Sequence, residues 1–203
     1  MVINYYMKRL VAFGCSSVLG QGLPDVFDPK FPDRNNPNLP SIYSWPSVLA
    51  KLFNVECVHK AIPGSSNKKI LHDIVNFEPV EGDKYFVLWT IPVRHSILKN
   101  PDWSINMQPS QERYENYYLE YYEDYDQIFL DTLYKNYAKI LLERRNIPFE
   151  FLYFQEDHNV LHQTVPVYWT KHYVADDVCE DGLHASVGAH ENYAKEIYKC
   201  LTE

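Results

Sequence analysis

Three short stretches hold the residue types that nucleophilic chemistry needs. Gly14-Cys15-Ser16-Ser17-Val18-Leu19-Gly20 puts hydroxyls directly after a β-prone run, Arg9 to Phe13. A hydroxyl on a tight strand-to-helix turn sits at a sheet rim, and N–H groups of the same turn can stabilise an oxyanion. An N-cap or turn serine would give the same local pattern. Asp181-Gly182-Leu183-His184 stands just before the last helical pattern, with Gly188 following. A serine hydroxyl attacks well only when an imidazole takes its proton. The imidazole in turn needs a carboxylate to fix its tautomer, and Asp and His three apart on a turn can meet in that way. A capping Asp and a surface His are the plainer alternative. Pro63-Gly64-Ser65-Ser66-Asn67 follows a second β-prone run and offers a close backbone approach, or simply a turn.

The elements that must position these residues alternate along the chain. Strands are expected at Arg9 to Phe13, Val55 to Val58, Tyr85 to Trp89 and Phe149 to Phe154. The third is almost wholly apolar, as in the buried centre of a parallel sheet. Helices are expected after Ser44, over Lys68 to Phe77, from about Glu112 to Arg145 with a break near Glu123 to Asp126, and at the C-terminus. Parallel strands need crossovers, which helices supply on both faces. The fold class is therefore α/β: a three-layer α/β/α sandwich with a mostly parallel sheet of four or five strands. Sites in such sheets lie at the carboxyl ends of the strands. That rim holds Gly14 to Ser17, Pro63 to Asn67 and Thr90 to Arg94. Segments 21–43, with Pro24, Pro29, Pro32, Pro37 and Pro40, and 96–111 read as irregular.

Taken together, the three stretches resemble the SGNH or GDSL hydrolase family. In that family Gly-Asp-Ser follows the first strand, a Gly the second, Gly-x-Asn-Asp the third, and Asp-x-x-His precedes the last helix. The chain keeps Gly14, Ser16 and Gly20, the Gly64 turn, and Asp181-x-x-His184, in that order across essentially its whole length. The resemblance implies a single domain over 1–203 with the flavodoxin-like SGNH fold. It implies Ser16 as nucleophile, His184 as general base and then acid, and Asp181 as the residue that orients His184. The N–H groups of Ser16 and Gly64 would be two arms of an oxyanion hole, and no metal or organic cofactor would be needed. The implied activity is hydrolysis of an ester, such as an O-acetyl group on a carbohydrate, through an acyl-enzyme on Ser16. Transfer of the acyl group to another hydroxyl would use the same triad.

Two departures stand out. Cys15 replaces the usual Asp, as in variants opening Gly-Cys-Ser, and Cys15 is an alternative attacking group. Leu88-Trp89-Thr90-Ile91-Pro92 replaces the third block, without its Asn. Asn67 or Thr90, or else Arg94, then becomes the candidate third oxyanion donor. Arg94 is either a substrate-binding residue for an anionic group or an exposed structural one. The altered block also fits a non-catalytic carbohydrate-binding or structural module, for example in a viral particle.

Composition narrows the partners. Lys plus Arg is 19 and Asp plus Glu is 27, a net charge of −8, which argues against general nucleic-acid binding and a polybasic membrane surface. No apolar run approaches the ~20 residues of a membrane span, and the N-terminus lacks a secretion-signal core, so a cytoplasmic location is expected. Cys15, Cys57, Cys179 and Cys200 form no CxxC pair and read as free thiols. His158 and His162 are a weak metal pair, with no third ligand in view. The tyrosines from Tyr114 to Tyr125 are expected to pack inward. Trp45, Trp103 and Trp169 are candidates for stacking on a sugar.

Overall fold

A computed structural model describes residues 7–30, 39–100, 103–154, 165, 167–172 and 177–203. Strand β1 (Arg9–Gly14) leads into the short helix α1 (Ser16–Leu19). Helix α2 (Trp45–Phe53), strand β2 (Glu56–Ala61), helix α3 (Asn67–Asn76) and strand β3 (Asp83–Trp89) follow. An antiparallel hairpin, β4 (His95–Asn100) and β5 (Trp103–Met107), comes next. Helices α4 (Glu115–Glu120) and α5 (Asp124–Arg144), strand β6 (Phe149–Tyr153) and helix α6 (Val187–Thr202) complete the order.

The main sheet runs β2-β1-β3-β6, and every pairing in it is parallel. Side chains along β1 alternate between faces because a strand has a period of two. Leu10 and Ala12 join Phe86, Leu88 and Leu152 in a core closed by Trp45 and Leu49 of α2 and Tyr193 and Ile197 of α6. Val11 and Phe13 join Tyr85, Val87, Trp89 and Phe151 beneath Ile70 and Ile74 of α3 and Ala138 and Leu142 of α5. The result is the expected α/β/α layering with four parallel strands. Leu10 has no solvent exposure, so Leu10→Ala would remove about 2–5 kcal/mol of stability.

The ends of these elements are set by local chemistry. Pro46 sits in the first turn of α2, where a missing N–H costs nothing. Asn54 ends that helix in the left-handed conformation, at φ 55°. Ser66 caps α3 by accepting from the Lys69 N–H at 3.3 Å, and Ser186 caps α6 by accepting from Ala189 N–H at 3.2 Å. At the amino edge of the sheet, Arg9 Nε and Nη2 donate to the two Asp83 oxygens at 2.7 and 2.8 Å. That fork fixes the register of β1 against β3 at the edge opposite the site.

The structure revises several expectations. The stretch 96–111 is not irregular: it holds the β4–β5 hairpin, paired from His95↔Met107 to Asn100↔Trp103. The long helical pattern does break, between Glu120 and Asp124. The tyrosine run is inward only in part: Tyr114, Tyr117, Tyr118 and Tyr122 are half-buried, whereas Tyr121 and Tyr125 are 72% and 85% exposed. With acidic residues between them, they cannot form a continuous apolar face against the sheet. Trp45 and Trp169 are buried in the core, 0% and 2% exposed, rather than displayed on loops. The His158 and His162 pair lies outside the described residues. Among the described residues, no cluster of three or more His, Cys, Asp or Glu is placed to hold a metal. No described helix is long and apolar enough to cross a membrane.

Candidate active site

Because all four main strands point the same way, the turns after β1, β2 and β3 emerge on one rim. Ser16 stands at the first helical position after β1. Its N–H precedes the intrahelical ladder and donates to no group among the described residues. The residue is 5% exposed and lines two cavities, of ≈ 900 and ≈ 200 Å³. His184, from the other end of the chain, lines both as well. No hydrogen bond joins Ser16 Oγ to His184 among the described residues. A serine–imidazole bond is commonly long or misaligned before substrate binds.

Behind His184 the geometry is tight. His184 Nδ1 and Asp181 Oδ2 are 2.6 Å apart, with the Asp181 side chain 1% and the His184 side chain 22% exposed. Asp181 Oδ1 accepts from Leu183 N–H at 2.9 Å and His184 N–H at 3.0 Å. Burial by itself pushes the Asp181 carboxyl up, but these N–H donors and the His184 ring outweigh it and hold the carboxyl below its ordinary value. The Cys179 thiol donates to Asp181 Oδ1 at 3.2 Å, and burial plus the carboxylate push that thiol up to about 12. His184 Nδ1 is thus held by Asp181, and a proton shared there leaves Nε2 as the ring's acceptor.

Gly22 is part of this support. At φ +83° it lies in the region that glycine favours, and a Cβ there would sit 2.5 Å from the Asp181 carboxylate and Cys179 Sγ. Gly64 is the second glycine with a specific task. At φ +75° it turns the chain after β2, and it lines the larger cavity. Its N–H donates to no group among the described residues.

Of the three sequence candidates for a third donor, Arg94 lines both cavities, while Asn67 and Thr90 are turned elsewhere. Asn67 Nδ2 donates to Thr90 O at 2.8 Å and to Asp131, while its Oδ1 accepts from Thr90 N–H at 2.8 Å. The amide thus holds the end of β3 and has no donor left for an oxyanion. Thr90 is 3% exposed, its Oγ1 buried beside the Cys15 thiol without a hydrogen-bond partner of standard geometry. Neither residue lines either of these two cavities. Cys15 is fully buried and lines neither of them. Burial raises its thiol, but the Arg94 charge, the Ser17 N–H, Thr90 and the Arg94 side chain together bring it below its ordinary value.

Arg94 lines both cavities, as its candidacy for substrate binding requires. The residue that sequence reasoning missed is Gln108. It follows β5 and lines the larger cavity with Ser16 and Gly64. Its Nε2 lies only 2.8 Å from where a Gly64 Cβ would be. The hairpin holds it there through polar links: Ser66 Oγ donates to Ser96 Oγ at 2.7 Å, and Ser96 Oγ to Asn106 Oδ1 at 2.7 Å. Asn106 Nδ2 donates to Pro63 O at 3.4 Å, just before Gly64. The signal was the alternation Trp103, Ile105, Met107 after the turn residues Asn100-Pro101-Asp102.

No family model matches the chain, and no curated protein matches it. Solved structures do. A protein from Desulfitobacterium hafniense assigned to the G-D-S-L lipolytic family is 14% identical, with a TM-score of 0.39 over 95% of this chain and 99% of that one. A carbohydrate esterase family 2 enzyme from Corynascus thermopiles (Myceliophthora fergusii), which carries a carbohydrate-binding domain, is 10% identical with a TM-score of 0.47. A family two carbohydrate esterase from Clostridium thermocellum, in complex with cellohexaose, is 13% identical with a TM-score of 0.42. This chain spans 65% and 62% of those two esterase chains. Likeness at this level assigns no activity. The structural neighbours of the chain include lipolytic proteins and carbohydrate esterases.

Proposed function

We propose that the chain is a serine esterase of the SGNH type, acting through an acyl-enzyme on Ser16. The observation that carries this reading is the meeting of Ser16 and the Asp181-held His184 on the walls of the same two cavities. In this mechanism His184 Nε2 takes the Ser16 hydroxyl proton as Oγ attacks the ester carbonyl. The oxyanion receives the N–H groups of Ser16 and Gly64, with Gln108 Nε2 as third donor in place of the missing Asn. Collapse expels the alcohol, which takes its proton from His184. Water then attacks the acyl carbon and gives a proton to His184; the bond from Ser16 Oγ to the acyl carbon breaks, Oγ takes that proton back from His184, and the acid leaves. Asp181 stays ionised throughout, stabilising the imidazolium.

The altered third block no longer counts against activity in this reading, because the inserted hairpin brings a carboxamide to the same rim. An O-acetyl group on a carbohydrate is the substrate type that suits the polar walls. The test is turnover of a chromogenic acetate by wild type, Ser16→Ala and His184→Ala. Each variant is expected to lose at least about 10³-fold in kcat. Equal turnover in all three would overturn the reading. Folded wild type without turnover or labelling at Ser16 would point instead to a non-catalytic binding module.

A further inference from the structure

The larger cavity has walls that ester cleavage alone does not explain. Two cations, Arg94 and Arg113, line it, and among the described residues no Asp or Glu does. Asp181 lies behind His184 with a side-chain exposure of 1%. This is the reverse of the chain as a whole, whose net charge is −8. A cavity of one sign within a protein of the other concentrates ligands of opposite charge.

Two atoms in the same walls lack partners among the described residues: Arg94 Nη1 and Gln111 Oε1 are buried with no hydrogen bond there. One is a charged donor and the other a neutral acceptor. Leaving such groups dry and unpaired is unfavourable, so each calls for a complement. Arg94 faces the Cys15 thiol on one side, and Arg113 adds a second cation beyond anything that thiol could balance. The remaining walls include the uncharged polar side chains of Ser104 and Asn106 and the ring of Tyr114. Hydroxyl-rich rings suit such walls, with polar groups at the edge and an aromatic face alongside. A cavity of ≈ 900 Å³ has room for far more than an acetyl group.

We propose that this cavity takes an O-acylated sugar bearing an acidic group, carboxylate or phosphate, with Arg94 and Arg113 holding the anion and Gln111 Oε1 accepting a sugar hydroxyl. The proposal rests on the esterase reading for the acyl group, and on the cavity walls alone for the acid.

The experiment compares kcat/KM for three O-acetylated sugars of similar size: a uronate, a sugar phosphate and a neutral sugar. At least one acidic substrate is expected to lead the neutral one by about ten- to a hundred-fold at low salt. Which acid leads identifies the source of the anion. Arg94→Gln and Arg113→Gln should each shrink the acidic-to-neutral ratio, and added salt should do the same. Arg113 is exposed, so Arg113→Gln keeps the test open if Arg94→Gln does not fold. A second arm measures binding of the deacetylated uronate and sugar phosphate to Ser16→Ala protein by calorimetry. Binding at least about ten-fold weaker in the added Arg94→Gln or Arg113→Gln background supports the site. A neutral substrate turned over as well as both acidic ones, with the ratio unmoved by the variants, overturns the proposal while leaving the esterase reading intact. If wild type cleaves no ester, the esterase reading falls and calorimetry decides the anion site. Absence of binding by both acids overturns it.

Discussion

At the scale of single residues, the site depends on how Asp181 is held rather than on its mere presence. Gly22 is the sharpest probe of this. In Gly22→Ala the new methyl would meet the Asp181 carboxylate at 2.5 Å from a strained φ of +83°. The carboxylate must move, and the His184 ring with it. A displacement near 1 Å can lower kcat by about 10²-fold. The expected result is that loss in chromogenic-acetate turnover, with KM little changed, together with a lower Tm. Gln108 tests the oxyanion hole in the same units. Gln108→Ala should lower kcat by about 10²–10³-fold, the usual effect of losing one preorganised donor. Unchanged kcat would assign the third donor elsewhere. Ser16, Asp181 and His184, the proposed triad, could be singled out in the sequence because three short motifs stand in a telling order, though each alone reads equally as a cap or a turn. Gln108 was not, because a carboxamide is informative only once its neighbours are known.

At the scale of elements, the hairpin is the part that reshapes the rim. Tyr118 Oη lies 3.0 Å from both Val93 O and Met107 O, able to donate to one at a time, so it clasps the two roots of the hairpin. Burial pushes its hydroxyl up to about 12, which keeps it a donor across the working range. Tyr118→Phe should cost about 1 kcal/mol and speed amide exchange in β5, with a higher KM for substrates that reach the outer cavity. Unaltered exchange would show that the Ser66–Ser96–Asn106 links hold the hairpin by themselves. The central strands β1 and β3 were readable because they are buried on two faces and run apolar, as in Tyr85-Phe86-Val87-Leu88-Trp89, whereas β2 at the sheet edge carries the exposed Glu56 and Lys60. The hairpin was harder to read because its alternation is short and broken by Asn100, Pro101 and Asp102. Polar residues such as Ser96 and Asn106 look like loop until their mutual hydrogen bonds are seen. The tyrosines from Tyr114 to Tyr125 were only half readable: Tyr114, Tyr117, Tyr118 and Tyr122 are half-buried, while Tyr121 and Tyr125 stay exposed among acidic residues.

For the whole molecule, buried histidines tie stability to pH. Burial lowers His59 to about 4 and His190 to about 3, and it lowers His95 as well. The unfolded chain takes up these protons first, so it gains protons relative to the folded state as pH falls below about 6.5. Stability should be intact above that value and decline toward pH 4, by up to about 1.4 kcal/mol per pH unit for each such group. Urea unfolding between pH 7 and pH 5 measures this. His59→Gln should flatten the slope, and a stability that rises on acidification would contradict it. The four parallel strands in their order along the chain, and the rim on which their turns emerge, followed from alternation and crossover rules; their order β2-β1-β3-β6 in the sheet did not. What no local pattern carries is the meeting of residues 16 and 184 across that rim. The direct measurement of that meeting is mass spectrometry of the intact protein, and then its peptides, after exposure to a fluorophosphonate. One adduct on Ser16 is expected in wild type, formed at least about 10³-fold more slowly in His184→Ala. Well-folded wild type with no adduct on Ser16, or labelling at the same rate without the imidazole, would contradict it.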